Sequence, residues 1–342
     1  MTQSITDRIR QGGLAALLLI AGSSAASAQI AVNCANPLPN GALPPAFNAW
    51  GPSAVCATAS TAAAVSSTIA TANTAFLTHT SPFVGSPTGR APDSMGGGIW
   101  VRGVGGRLDT DARATVSTTG PVGAPFNGIT LDANTRSTFG GFQVGADSGA
   151  LNIWNSGWNM HFGLTAGYLS SEIRDRNGPG GMNFEIPFIG AYAAFVHSSG
   201  FFADVMVRGD FYTMNATNPL VGIVDRSFDG KGISVTSSAG YRFDLPNGFF
   251  IEPSAGLILS QVRVDNLVVD GPGPFGVPPG TVSFNTVKSL LGRAGARIGT
   301  TWTSGSLVIS PFLAASVWHE FEDANQSTYV CNGCAFSMDV AT

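Results

Sequence analysis

The sequence predicts an all-β chain, an antiparallel β-barrel of the membrane-spanning kind. Three observations predict it. Nine stretches alternate apolar and polar residues over lengths greater than the ~5–6 residues usual for soluble sheets. The links between them alternate between short and long, as the two rims of a membrane barrel require. Charge is also scarce: 11% of the 342 residues are Asp, Glu, Lys or Arg, the net charge is -4, and 44 residues are Gly.

Residues 1–28 have the layout of a secretory signal peptide. Arg8 and Arg10 form the basic n-region, Leu14 to Ile20 the apolar stretch, and Ala26-Ser27-Ala28 a small-residue cleavage site. The apolar run is shorter than the ~20 residues of a membrane helix, so Gln29 is the expected first residue of the mature protein. Residues 29–96 read as a short exported segment. Residues 57–76, rich in Ala, Ser and Thr, read as either a weak helix or a linker, since Ala favours helix while Thr and Val do not; as a helix the segment would be small and uncharged enough to sit inside a narrow pore. Residues 78–96, with Pro82, Pro87 and Pro92, read as a linker.

Strands are expected at 97–106, 137–147, 157–170, 184–196, 201–212, 232–243, 248–262, 284–300 and 306–318. The short links are 148–156, 197–200, 244–247 and 301–305. The long links, 107–136, 171–183, 213–231 and 263–283, carry the Asp, Asn, Gly and Pro of exposed loops. Within the strands the period is two. In the third, Trp158, Met160, Phe162, Leu164 and Tyr168 share one face, and Asn159, His161, Gly163 and Thr165 the other. A soluble sandwich would show the same alternation. Strand length favours lipid, as do aromatic residues near strand ends: Trp158, Tyr168, Tyr212, Tyr241, Phe249 and Trp318. The polar faces are then expected to line a lumen, with Arg102, Gln143, Glu185, Asp204, Arg208, Asp210, Arg242, Glu252, Arg293 and Arg297 as its candidate members. Export permits disulfides, and the candidate pairs are Cys34–Cys56 and Cys331–Cys334.

A run of glycine-rich phrases resembles the C-terminal β-domain of bacterial autotransporters, the type V secretion translocators. These are Gly98-Ile99-Trp100-Val101-Arg102-Gly103, Gly141-Phe142-Gln143-Val144-Gly145-Ala146-Asp147, Gly163-Leu164-Thr165-Ala166-Gly167-Tyr168, Ser238-Ala239-Gly240-Tyr241-Arg242-Phe243, Phe250-Ile251-Glu252-Pro253 and Arg293-Ala294-Gly295-Ala296-Arg297-Ile298-Gly299. The resemblance covers about residues 97–320. It implies a twelve-stranded outer-membrane barrel with a helix threading the pore. That barrel is inserted with the barrel-assembly machinery and carries an N-terminal segment to the surface. Nine strands fall short of twelve. Residues 319–342 read as a long surface loop before a missing tenth strand, so 97–342 is expected to be a C-terminally truncated barrel domain.

The expected function is therefore translocation and anchoring of a surface-displayed N-terminal segment from the outer membrane. The alternatives are a structural or adhesive outer-membrane protein, whose long loops meet surface or host ligands, and a small diffusion porin. Besides outer-membrane lipid and the assembly machinery, no nucleic acid is expected as a partner, because no basic cluster is present. No cofactor or metal is expected either. His79, His161, His197 and His319 show no metal-ligand spacing, no GxSxG is present, and no glycine-rich phrase ends in the Lys-Ser/Thr of a phosphate loop. The chain reads as a non-enzyme.

Overall fold

The structure is a computed structural model. It describes residues 30–32, 51–75 and 91–341, except 112, 119–126, 177, 273–276, 305–306, 310–311, 323–324 and 333. The leader at 1–28 and most of the linker at 78–96 lie outside the described residues, as does Cys34.

The alternating stretches form one antiparallel meander: β1 (Ser94–Thr110), β2 (Thr135–Leu151), β3 (Trp158–Asp175), β4 (Gly181–His197), β5 (Phe201–Asn218), β6 (Ile223–Tyr241), β7 (Phe249–Val264), β8 (Val287–Thr300) and β9 (Phe312–Glu320). Each strand pairs with its sequence neighbour, and β1 and β9 are the edges of the sheet. The pairing is long and regular, running from Ser94↔Leu151 to Thr110↔Thr135 between the first two strands. All nine expected strands are present. The last starts later than expected, because Leu307–Ile309 instead pairs with Trp302–Ser304 in a small ribbon.

Two of the expected long loops are largely strand. β3 runs to Asp175 and β4 starts at Gly181; β5 runs to Asn218 and β6 starts at Ile223. Tyr212, Met214, Ala216, Ile223 and Phe228 are buried on one face there, with polar neighbours on the other. The polar half of that alternation had the composition of a loop. A 17-residue strand such as β4 is about 56 Å long at 3.3 Å per residue. The apolar band of an outer membrane is only ~25 Å tall. Even tilted, the strands project well beyond the band on the long-link side.

One face of the sheet is apolar and bare. Ile99, Val101, Phe142, Val144, Phe162, Leu164, Ile189, Val205, Val207, Ile233, Val235, Ile251, Leu257, Leu259 and Ile298 are all exposed. A contiguous patch of this size is far beyond what a soluble monomer shows and is what a lipid-facing band looks like. Toward the short-turn rim it ends in aromatic contacts: Trp158 lies 6.0 Å from Phe201 and Tyr241 4.7 Å from Phe243, centroid to centroid. Of the six aromatic residues expected at such girdles, Tyr212 and Trp318 instead face inward. They sit in register with the inward Gly230 and Arg293.

On the inner face, glycines make room for rings. A Cβ at Gly145 would lie 2.3 Å from the Trp100 ring, one at Gly163 2.5 Å from both Tyr192 and the Ala146 carbonyl, and one at Gly240 2.3 Å from Phe202. Each ring fills the space beside a glycine of the neighbouring strand, so the glycine-rich phrases encode steric hollows. Gly163→Val is expected to cost about 1–3 kcal/mol by overpacking, read as a lower urea midpoint of the heat-modifiable gel band. An unchanged midpoint would show that Tyr192 is free to move aside.

The remaining strands build a second sheet at the long-link rim. Its order runs Ile30–Val32, Asn127–Asp132, Arg113–Thr118, Cys334–Ala341, Asn325–Cys331, Gly280–Phe284 and Leu267–Val269. It takes up much of the first and last of the expected outer loops and the segment after β9. Ala114, Leu267, Val269, Val282, Tyr329, Met338 and Val340 are buried in it, in one core with the helix described next. The Tyr329 hydroxyl donates to the Pro278 carbonyl, and burial raises its pKa from 10.0 to about 12. A group raised on folding is protonated in the native state while the unfolded chain has begun to lose its proton. Its contribution is therefore intact below pH 10 and is lost as pH rises toward 12. Alkaline titration of phenolate absorbance, with Tyr329→Phe as the blank, is expected to show this late-titrating group. Titration near pH 10 would mean that the tyrosine is wetted.

Candidate functional site

The helix α1 (Gly51–Ala75) lies against the inner face. It is six residues longer at its start than expected, with Pro52 near its first turn, where the missing N–H costs nothing. From Thr61 to Ala75 nearly every residue is buried, polar ones included: Ser67, Thr68 and Thr71 are at most 1% exposed. The hydroxyls survive burial because they bond back to the helix itself. Thr68 donates to Ala64 O (3.0 Å), Thr71 to Ser67 O (2.8 Å) and Thr74 to Ala70 O (2.8 Å). Small side chains let the backbone pass close to the wall, where Leu169, Ile173, Phe184, Ile186 and Met214 meet it in one core.

The direction of the helix is fixed by its partners. Thr61 and Ala64 adjoin Thr135, Asp175, Gly180 and Thr217, all at the long-link ends of strands. Ser67 Oγ is 3.4 Å from Thr110 Oγ1, at the outer end of β1. Further along, Asn73 Nδ2 donates to Ser260 Oγ (2.9 Å), and Arg208 Nη2 donates to Ala72 O (3.0 Å), both in mid-strand. The N-terminal end of α1 thus points to the long-link rim, and its C-terminal end sits in the middle of the lumen.

The charged residues of the inner face brace this arrangement. Arg208 and Asp210 form an ion pair with side chains 4% and 2% exposed. Arg208 Nε lies 2.8 Å from Asp210 Oδ1, off hydrogen-bonding angle, while Nη2 donates to Oδ2 at 3.2 Å. The Arg208 guanidinium also lies 5.0 Å from the Phe188 ring centroid. Its bond to Ala72 O puts a cation on a C-terminal carbonyl of α1, the favourable end for it. Arg102 donates to Gln143 (2.7 Å), which donates to Thr165 (2.8 Å). Asp204 accepts from Ser238. Arg297 donates to Glu252, which is wholly buried. Arg293 donates to Ser316 (3.0 Å) and lies near Trp318. Arg242 bonds Asp244 (2.8 Å) at the short-turn rim and lies 3.9 Å from the Phe250 centroid.

Nine of the ten candidate residues share the sheet face that packs on α1. Glu185 does not. It is exposed beside Asn183 and Pro187, while Met182, Phe184 and Ile186 take the inner positions. In β4 the outward face carries the charge because the inward face meets the helix. Sequence reasoning missed Asp147. It accepts from Tyr192 (3.2 Å), pairs with His161 Nδ1 (3.0 Å), and Tyr192 in turn accepts from Trp100 (2.8 Å). The alternation put His161 on the polar face, but only register brings Asp147 to it. Cys331 is disulfide-bonded and stands in register with Cys334 across a tight turn of the outer sheet. Among the described residues no group of three or more His, Cys, Asp or Glu could hold a metal ion.

A bare apolar outer face, aromatic rings at the short-turn rim and a helix buried against the inner face define a membrane β-barrel of the translocator class. The autotransporter β-domain model matches residues 99–332, and the chain belongs to the autotransporter β-domain family. The pertactin autotransporter of Bordetella parapertussis is 29% identical over 255 residues, 73% of this chain and 24% of that protein. A probable autotransporter of Escherichia coli K12, YcgV, is 24% identical over 70% of this chain and 22% of its own length. The chain thus spans about a quarter of the length of the curated relatives it matches. Among solved structures, the transport unit of the autotransporter AIDA-I from Escherichia coli aligns over 82% of this chain and 96% of that one, at 12% identity and a TM-score of 0.49. Family membership places the protein in the outer membrane, reached through the periplasm, and gives this β-domain a general membrane-translocation and anchoring role.

Proposed function

We propose that this chain carries its own N-terminal segment through the outer membrane and holds it at the cell surface. In this reading residues 1–28 address the chain for export and are removed, and the barrel-assembly machinery inserts the strands from Ser94 onward. The short segment after Gln29 is displayed outside. The helix α1 stays in the lumen as the last stretch of chain to have passed. The observation that carries the reading is the direction of α1: its N-terminal end lies at the long-link rim, so the chain before it leads outward. The uncharged, self-bonded surface of α1 suits a segment that slid along a barrel wall and stopped there. Pairing of Cys331 with Cys334 would pin the tip of the outer sheet above it.

The test is an epitope placed between residues 30 and 50 and probed with antibody on intact cells. Labelling without permeabilisation is expected. Labelling only after the outer membrane is opened would sink the display reading and leave a structural barrel. In that case the outer sheet would be the surface for contacting host or neighbouring cells.

A further inference from the structure

At the long-link rim, cations on the lipid-facing side of the sheet are matched by carboxylates. Arg107 and Arg136 meet Asp109, Arg174 meets Glu172, Arg176 meets Asp111 and Arg226 meets Asp270. Three cations break the rule. Lys231 in β6 and Arg263 in β7 are directly opposite each other in register. Lys288 in β8 is opposite Gln261, one pleat from Arg263 on the same face. All three are exposed, and among the described residues no ion pair reaches any of them. Directly opposed side chains in a sheet stand roughly 5 Å apart at Cβ, and like charges there repel. The nearby carboxylates, Asp229 and Asp265, lie one pleat nearer the rim. The two residues are joined through their backbones, Asp265 N to Asp229 O at 2.8 Å.

The surroundings say what kind of anion would relieve the repulsion. One pleat inward, on the same lipid-facing side, the cluster meets Ile233 and Leu259, and Phe211 stands directly beside Lys231; each is about half exposed. The three cations thus mark the line where the apolar band gives way to the outer rim. A ligand there must present negative oxygens at headgroup height and hydrocarbon just below. We infer that Lys231, Arg263 and Lys288 form a docking site for the phosphorylated headgroup of an outer-leaflet glycolipid. The phosphate takes the position between the three cations, and the acyl chains lie over Ile233 and Leu259. Arg263 supplies the planar fork suited to two phosphate oxygens, and the lysines act as flexible point charges beside it.

The experiment uses the full chain, folded in uncharged detergent micelles, with bisphosphorylated lipid A, its dephosphorylated counterpart and inorganic phosphate as probes. Native mass spectrometry reads the bound fraction. Wild type is expected to retain the phosphorylated lipid and not the dephosphorylated one. The triple variant Lys231→Gln, Arg263→Gln, Lys288→Gln is expected to bind it about a hundredfold more weakly at low salt. Arg174→Gln, which removes a paired cation, is expected to bind as wild type does. Equal binding of both lipids, or unchanged binding by the triple variant, would overturn the proposal. So would inorganic phosphate binding alone as tightly as the lipid, which would assign the cluster to free phosphate. The single variant Arg263→Gln gives a second readout, thermal stability without and with the lipid. It should melt higher than wild type in uncharged micelles, where repulsion is relieved, and lower than wild type once phosphorylated lipid is added. The same sign in both conditions would contradict the site.

Discussion

Arg208→Leu is expected to destabilise the folded barrel by about 3–5 kcal/mol, the usual cost of removing one partner of a buried ion pair. Asp210, 2% exposed, would be left buried with no cation beside it. The Ala72 carbonyl, near the end of α1, would lose its donor, and the Phe188 ring would lose the guanidinium that lies near it. The double variant Arg208→Leu, Asp210→Leu is expected to recover much of the loss, since an apolar pair of similar volume commonly matches a buried ion pair. Urea unfolding followed by tryptophan fluorescence would measure both. A cost below about 1 kcal/mol for the single variant, the range of an exposed pair, would mean that water reaches Asp210. Losing the same amount in both variants would mean that the contact to α1 matters and the pair does not.

Deleting Gly51–Ala75 is expected to have a comparable effect on stability and a larger one on permeability. The helix shares one core with Leu169, Ile173, Phe184, Ile186 and Met214 on the inner face. Burying a side chain of this size is worth about 1.5–3 kcal/mol, so wetting several of them removes a large part of a typical barrel's margin. The same deletion opens the space that the helix fills. In planar bilayers, the chain without α1 should pass ions severalfold more readily than the full chain. Equal conductance would show that the helix leaves the lumen or lies aside from the conducting path.

Much of this architecture was legible from the residues, and the reasons differ from part to part. The nine strands and the assignment of their faces follow from a period of two, which holds in β3 from Asn159 to Ala166 without interruption. The sequence left 57–76 open between helix and linker, because Ala favours helix while Thr and Val do not; the structure has a helix over Gly51–Ala75. Polarity misled where strand and loop have the same composition. Within residues 213–231, Asp225, Ser227 and Asp229 are exposed, while Met214, Ile223 and Phe228 point inward. Glu185 was placed inside on the general rule that charge faces the lumen. That rule fails in the part of the wall that packs on α1. Register was not legible at all. Asp147 meets His161, and Lys231 meets Arg263, only through pairings between strands whose offsets depend on turn geometry.

The two edges of the main sheet carry a consequence about direction. Successive strands alternate up and down, so β1 and β9, both odd in the series, run the same way. If their edges met directly, the seam would be the one parallel pairing in an otherwise antiparallel wall, with slanted hydrogen bonds in place of perpendicular ones. An antiparallel seam requires an odd number of strands between them, from whatever source. Parity alone therefore separates two kinds of closed wall, and isotope-edited infrared spectroscopy of carbonyl labels at Ile99 and Val317 would distinguish a parallel seam from an intervening strand.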